Sequence, residues 1–107
     1  MMKRLVVVLS LCLAPSAFAA EDVTEVWKAK CKSCHGDDGK AKTKMGQKES
    51  IVDMSQAAWQ TSVSDAEIRQ VISDGSTRNT KMKAYKEKLT AAQIDSLVGY
   101  VRTLKAK

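Results

Sequence analysis

Cys31-Lys32-Ser33-Cys34-His35 decides how the rest of this chain is read. Two thiols three residues apart, followed at once by an imidazole, form the c-type haem attachment pattern. On a helix, Cys31 and Cys34 share a face at i and i+3, so both sulfurs can form thioether bonds to the two vinyl groups of one porphyrin. His35 then turns a ring nitrogen toward the iron. The covalent link keeps the cofactor in place through changes of oxidation state and fixes its axial ligand in register. Other uses of a CxxC pair fit less well. A thioredoxin-like site needs a βαβ setting, and no segment here alternates with the period of two that a strand requires. A zinc site needs further ligands, and His35 is the only histidine.

Upstream of the motif, Lys3 and Arg4 precede an apolar run from Leu5 to Leu13, and Ala17-Phe18-Ala19 has the small-x-small pattern of a signal peptidase site. Residues 1–19 read as an export signal cleaved after Ala19. The apolar run falls well short of the roughly 20 residues needed to span a bilayer. Cys12 belongs to that run, and Leu11 stands where a lipoprotein signal wants a small residue. Of 107 residues, cleavage leaves residues 20–107 as a single domain. That is small for a self-sufficient hydrophobic core, and a buried haem supplies apolar mass. Cys31 and Cys34 are both committed to the haem, so no disulfide is expected. Bacteria attach haem covalently outside the cytoplasmic membrane, so export and CxxCH agree, and the expected location is the periplasm.

The formal net charge of +6 falls to +4 on cleavage, because Lys3 and Arg4 leave with no acid. Lysines cluster at 28, 30 and 32, at 40, 42 and 44, and at 81, 83, 86 and 88. They serve solubility as a solvated face, or they form a basic collar at the haem edge that steers an acidic redox protein. Aromatic residues make up 5% of the chain and no basic helix or stacking array is present, which argues against nucleic acid as a partner. A monomer is expected.

Val23, Trp27 and Cys31 recur at i, i+4 and i+8, which predicts a first helix from Ala20 to about Lys32 that delivers the cysteines, with Asp22 as its cap. Gly36-Asp37-Asp38-Gly39 ends the helix. Residues 40–50 are polar and read as a long loop against the haem. A short helix around Ser55 to Gln60 would turn Met54, Ala57, Ala58 and Trp59 inward. Ser64-Asp65-Ala66-Glu67 and Thr90-Ala91-Ala92-Gln93 are capping boxes, with Val63/Ile68 and Leu89/Ile94 placed as hydrophobic staples. The first opens a helix that leaves through Gly75. The second opens the last helix, whose stripe is Ile94, Leu97, Val98, Val101 and Leu104. Gly99, inside it, suggests the crossing point with the first helix. The fold class is all-α, three to five helices packed around one covalently bound haem c.

A haem iron held by His35 has a sixth position, and its occupant sets the function. A second histidine is lacking, and lysine must lose a proton to bind. Methionine thioether is soft and always unprotonated, favouring ferrous iron. Met45, Met54 and Met82 are available, each also serviceable as core filler. Met82, between two packed helices, is the best placed.

The chain resembles the bacterial single-haem class I cytochromes c across the mature domain. The residues that carry the resemblance are Cys31 to Gly39, then Lys81-Met82-Lys83-Ala84-Tyr85, Leu89 to Ile94 and Tyr100-Val101-Arg102. It implies a His35/Met82 iron, contact between first and last helices, electron transfer through an exposed haem edge, and no substrate chemistry. Trp59 and Arg78 become candidates for the haem propionates on general layout. The family commonly has a proline whose carbonyl accepts from the ligand histidine, and another beside the ligand methionine. Here the only proline is Pro15, and Lys83 follows Met82. A Met82 bond that opens readily to Lys81 or Lys83 at alkaline pH is the expected consequence.

The resulting expectation is a soluble periplasmic carrier of single electrons, not an enzyme. Two other readings stand beside it: a gas-binding or peroxidase-like protein with an open sixth site, and the small electron-donating subunit of a larger oxidoreductase.

Overall fold

The helix that carries the haem motif runs through residues 23–35 (α1), in a computed structural model that describes residues 23–106. Residues 1–19, read above as an export signal, and Asp22, read as a helix cap, lie outside the described residues. Within α1 the turn Trp27–Cys31 is π, with the Lys32 amide reaching back to the Trp27 carbonyl, and Lys32–His35 returns to α geometry. The wider turn takes in one extra residue, a feature that clusters at functional sites. Gly36 ends the helix at φ 78°, in the left-handed region that a side chain resists.

Four more helices follow among the described residues. They are α2 (Lys44–Lys48), α3 (Ala57–Ser62), α4 (Asp65–Asp74) and α5 (Ala91–Thr103). No strand is present among them, so the all-α expectation holds. Both capping boxes form. The Ser64 hydroxyl accepts from the Glu67 amide and the Thr90 hydroxyl from the Gln93 amide, while the Glu67 and Gln93 side chains return to the cap amides. Each satisfies two donors that a helix start otherwise leaves unpaired.

The core sits between α4 and α5. Ile68 and Ile72 meet the face of Ile94, Leu97, Val98 and Val101, with Trp27, Met54 and Leu89 completing the cluster. Two ion pairs flank the seam, Arg69 to Asp95 at 2.6 Å and Arg102 to Asp65 at 2.7 Å. Arg102 also donates to the Gln60 and Val63 carbonyls at 2.7 and 2.6 Å, so one guanidinium holds α5 to the α3–α4 junction.

Three expectations are corrected. Residues 40–50 hold α2, which Thr43 caps; lysines at both ends and Gly46 in the middle hid it from a hydrophobic pattern. Ala57 and Ala58 are exposed, because α3 turns its Trp59 side to the core instead. Gly99 is exposed and a Cβ there would meet nothing within 4 Å. The first and last helices meet one residue later, where the Trp27 and Tyr100 rings pack with centroids 4.9 Å apart. The end of α5 also covers the loop after the motif: a Cβ on Gly39 would lie 2.7 Å from Leu104 Cδ1.

Candidate haem site

Cys31, Cys34 and His35 stand together at the end of α1, and the local sequence holds them there. The His35 carbonyl accepts from the Ala41 amide at 2.9 Å, closing the Gly36–Lys40 loop on itself. Thr43 Oγ1 donates to the Cys34 carbonyl at 2.9 Å and accepts from the Gly46 amide at the same distance. One hydroxyl thus caps α2 and ties it to the motif. Gly46 permits that approach, since a Cβ would lie 2.6 Å from the Cys34 carbonyl oxygen and closer still to that of Ala41. Neither Thr43 nor Gly46 stands out in the sequence, because their partners are backbone atoms.

Both cysteines are free thiols, half-buried. Burial, then the neighbouring Cys34, pushes the Cys31 thiol up to about 11. A thioredoxin-like pair needs its attacking thiol lowered, so this site is poorly suited to dithiol exchange. Burial lowers the His35 pKa, leaving a neutral imidazole, the form that binds a metal. His35 Nδ1 is buried and has no hydrogen-bond partner among the described residues. Two unpaired thiols and a neutral imidazole on adjacent turns fit a covalently attached haem. Among the described residues no cluster of three His, Cys, Asp or Glu exists that would hold a metal ion directly.

The three methionines occupy different surroundings. Met45 is exposed on α2. Met54 is buried and lies near His35; its amide donates to the Gly39 carbonyl at 2.9 Å, so it is fastened to the loop that follows the histidine. Met82 is half-buried against the core, on the segment between α4 and α5. Its carbonyl accepts from Ser76 at 3.1 Å, and Gly75 at φ 83° turns the chain so that this return is possible. Asn79 Nδ2 reaches the Glu49 carbonyl at 3.2 Å, and the Tyr85 hydroxyl donates to the Lys30 carbonyl at 3.3 Å. The Met82 segment is therefore tied to α4, to the end of α2, and to α1 one residue before Cys31. Trp59 packs on the core, and Arg78 is exposed with its side chain in no hydrogen bond among the described residues.

Residues 18–101 match the model of the family described as cytochrome C oxidase, cbb3-type, subunit III. The chain belongs to that family. It is a class I c-type cytochrome domain, an electron carrier, and the cofactor of such a domain is a c-type haem. A curated relative, cbb3-type cytochrome c oxidase subunit FixP of Azorhizobium caulinodans, is 33% identical over 86 residues, 80% of this chain. That match spans only 27% of FixP. Among solved structures, the KustC0563 c-type cytochrome superposes with a TM-score of 0.72 at 34% identity, covering 79% of this chain and 99% of its own. A point mutant of that same cytochrome matches with a TM-score of 0.69, also at 34% identity, over 78% of this chain and 99% of the mutant's. In this c-type cytochrome no helix among the described residues is long and apolar enough to cross a membrane.

Proposed function

We propose that this cytochrome is a single-electron shuttle of the periplasm in which Cys31 and Cys34 hold the haem by thioether bonds and His35 and Met82 ligate its iron. When bound, the haem takes up and releases one electron. The observation that carries the reading is the tether from the Met82 segment to α1: Tyr85 on Lys30 binds the segment of the sixth ligand to the helix of the fifth. Met54 is the competing ligand, favoured by its nearness to His35. Its amide is bonded to the Gly39 carbonyl in the loop that follows His35, so Met54 is fixed beside the histidine, whereas the Met82 segment would bring its thioether from a separate element. With His35 and Met82 both holding the haem, the chain would leave no open position for substrate, and the group would supply electron exchange alone.

Lys81, Lys83, Lys86 and Lys88 on the tethered stretch and Lys28, Lys30 and Lys32 on α1 are all exposed. Lys28, Lys32 and Lys86 have acidic neighbours at 3.5 to 3.8 Å, while Lys30, Lys81 and Lys83 form no ion pair among the described residues. Such a face suits an acidic redox protein and supplies rate rather than affinity. A second reading, the donor domain of a larger oxidoreductase, is supported by the family and by FixP. Exposure of the dithionite-reduced protein to carbon monoxide tests the closed site. An unchanged spectrum is expected, and prompt formation of a carbonmonoxy adduct contradicts the carrier reading in favour of a gas-binding or peroxidase-like one.

A further inference from the structure

A histidine that ligates a metal ordinarily donates its other ring N–H to an acceptor, which fixes the ring plane and makes the ligand more basic. His35 Nδ1 has no such partner among the described residues although it is buried. The torsion that turns an imidazole about its Cβ–Cγ bond is broad, so an unbraced ring needs another restraint. Trp27 supplies contacts of the right kind. It is 2% exposed, and its Nε1–H donates to the carbonyl of Gly36, the residue after His35, at 3.0 Å. Its ring lies against the imidazole with centroids 5.9 Å apart and planes inclined by 39°. Tyr100 closes on the indole from α5 at 4.9 Å.

We propose that Trp27 is the positioning residue of the axial histidine: pinned through its N–H to the Gly36 carbonyl and backed by Tyr100, the indole forms the wall that sets the His35 ring plane in place of a hydrogen bond to Nδ1. The inference rests on His35 being the iron ligand. The plane of the imidazole then depends on a residue eight positions earlier, carried by the π turn of α1.

The test uses the haem-loaded protein and three variants. Trp27→Phe keeps an aromatic ring and removes the donor; Ile72→Val loosens the core away from the site. The ferric low-spin electron paramagnetic resonance spectrum, whose g values follow the axial ligand planes, and the reduction potential are read for each. Trp27→Phe is expected to retain a low-spin haem with shifted g values and a shifted potential, while Ile72→Val lowers thermal stability and moves neither. A Trp27→Phe protein that matches wild type in both, or an Ile72→Val protein that moves as far, overturns the proposal. Should Trp27→Phe fail to fold, proton spectra of the reduced wild type decide. A slowly exchanging Trp27 indole N–H with an Overhauser contact to the His35 ring supports it, and fast exchange or no contact overturns it. A low-spin spectrum that survives His35→Ala removes the ligation itself, a failure distinct from an unmoved Trp27→Phe.

Discussion

Ser50 holds a backbone φ of 51°, a conformation that costs a residue with a Cβ roughly 1–2 kcal/mol. It sits one residue past the cap of α2, where its amide donates to Gln47 and that of Ile51 to Gly46, the two bonds of a Schellman motif whose usual occupant is glycine. Ser50 is exposed and its side chain makes no hydrogen bond among the described residues. Ser50→Gly is therefore expected to stabilise the protein by about 0.5–1 kcal/mol in urea unfolding, with an unchanged haem spectrum. An unaltered midpoint would mean that the left-handed turn at the end of α2 does not form. The haem-binding triplet was legible at this scale because its chemistry is written in side chains. The support from Thr43 and Gly46 was not, since it is made to the carbonyls of Cys34 and Ala41, which any sequence possesses.

Among the elements, two side chains join α5 to the α3–α4 corner: Gln60 Nε2 donates to the Val101 carbonyl at 2.9 Å, and Arg102 reaches back from α5. The Arg102 guanidinium reaches Asp65, the Gln60 carbonyl and side chain, and the Val63 carbonyl, a set that an ammonium cannot span. Arg102→Lys is expected to lower stability by about 1–3 kcal/mol, because carbonyls turned toward the guanidinium lose their donor. Thermal melts of the holoprotein measure it, and a loss indistinguishable from zero would show that the α4–α5 apolar seam and the Gln60–Val101 bond hold the corner without it. Helices α4 and α5 were legible from their capping boxes, which are local in sequence. Helix α2 was not, since its apolar side is almost absent and it is fixed by Thr43 and by packing on the motif. The crossing at Tyr100 rather than Gly99 was also beyond sequence reasoning, for it depends on the rotation of α1 through its π turn.

For the whole molecule, acid stability has a traceable contributor in Asp53. Its carboxylate accepts from the Ser55 hydroxyl at 2.6 Å, the Ser55 amide at 2.9 Å and the Gln56 side chain at 3.1 Å. The Ser55 hydroxyl bond is the first cause of a pKa held below the ordinary carboxylate value. A depressed folded pKa adds stability that is complete above the unfolded value and is lost as pH falls through the folded one. Asp53→Asn should therefore be less stable than wild type at neutral pH, with the gap closing only as pH drops below about 3.9. A gap independent of pH would assign the effect to geometry rather than charge. The Ser55 carbonyl also receives the Ala106 amide at 2.8 Å, so this turn anchors the far end of the chain beside α3.

The fold as a whole was legible because haem motif, helix caps and apolar stripes agree, whereas the assignment of the sixth ligand depends on how the segment from Gly75 to Tyr85 returns to α1. That assignment is tested most directly by the near-infrared absorption of the ferric protein, where sulfur-to-iron charge transfer gives a band. The band is expected in wild type and in Met54→Ala, and lost in Met82→Ala. A band that survives Met82→Ala and vanishes in Met54→Ala would contradict the account and place the sixth ligand on the His35 side of the core.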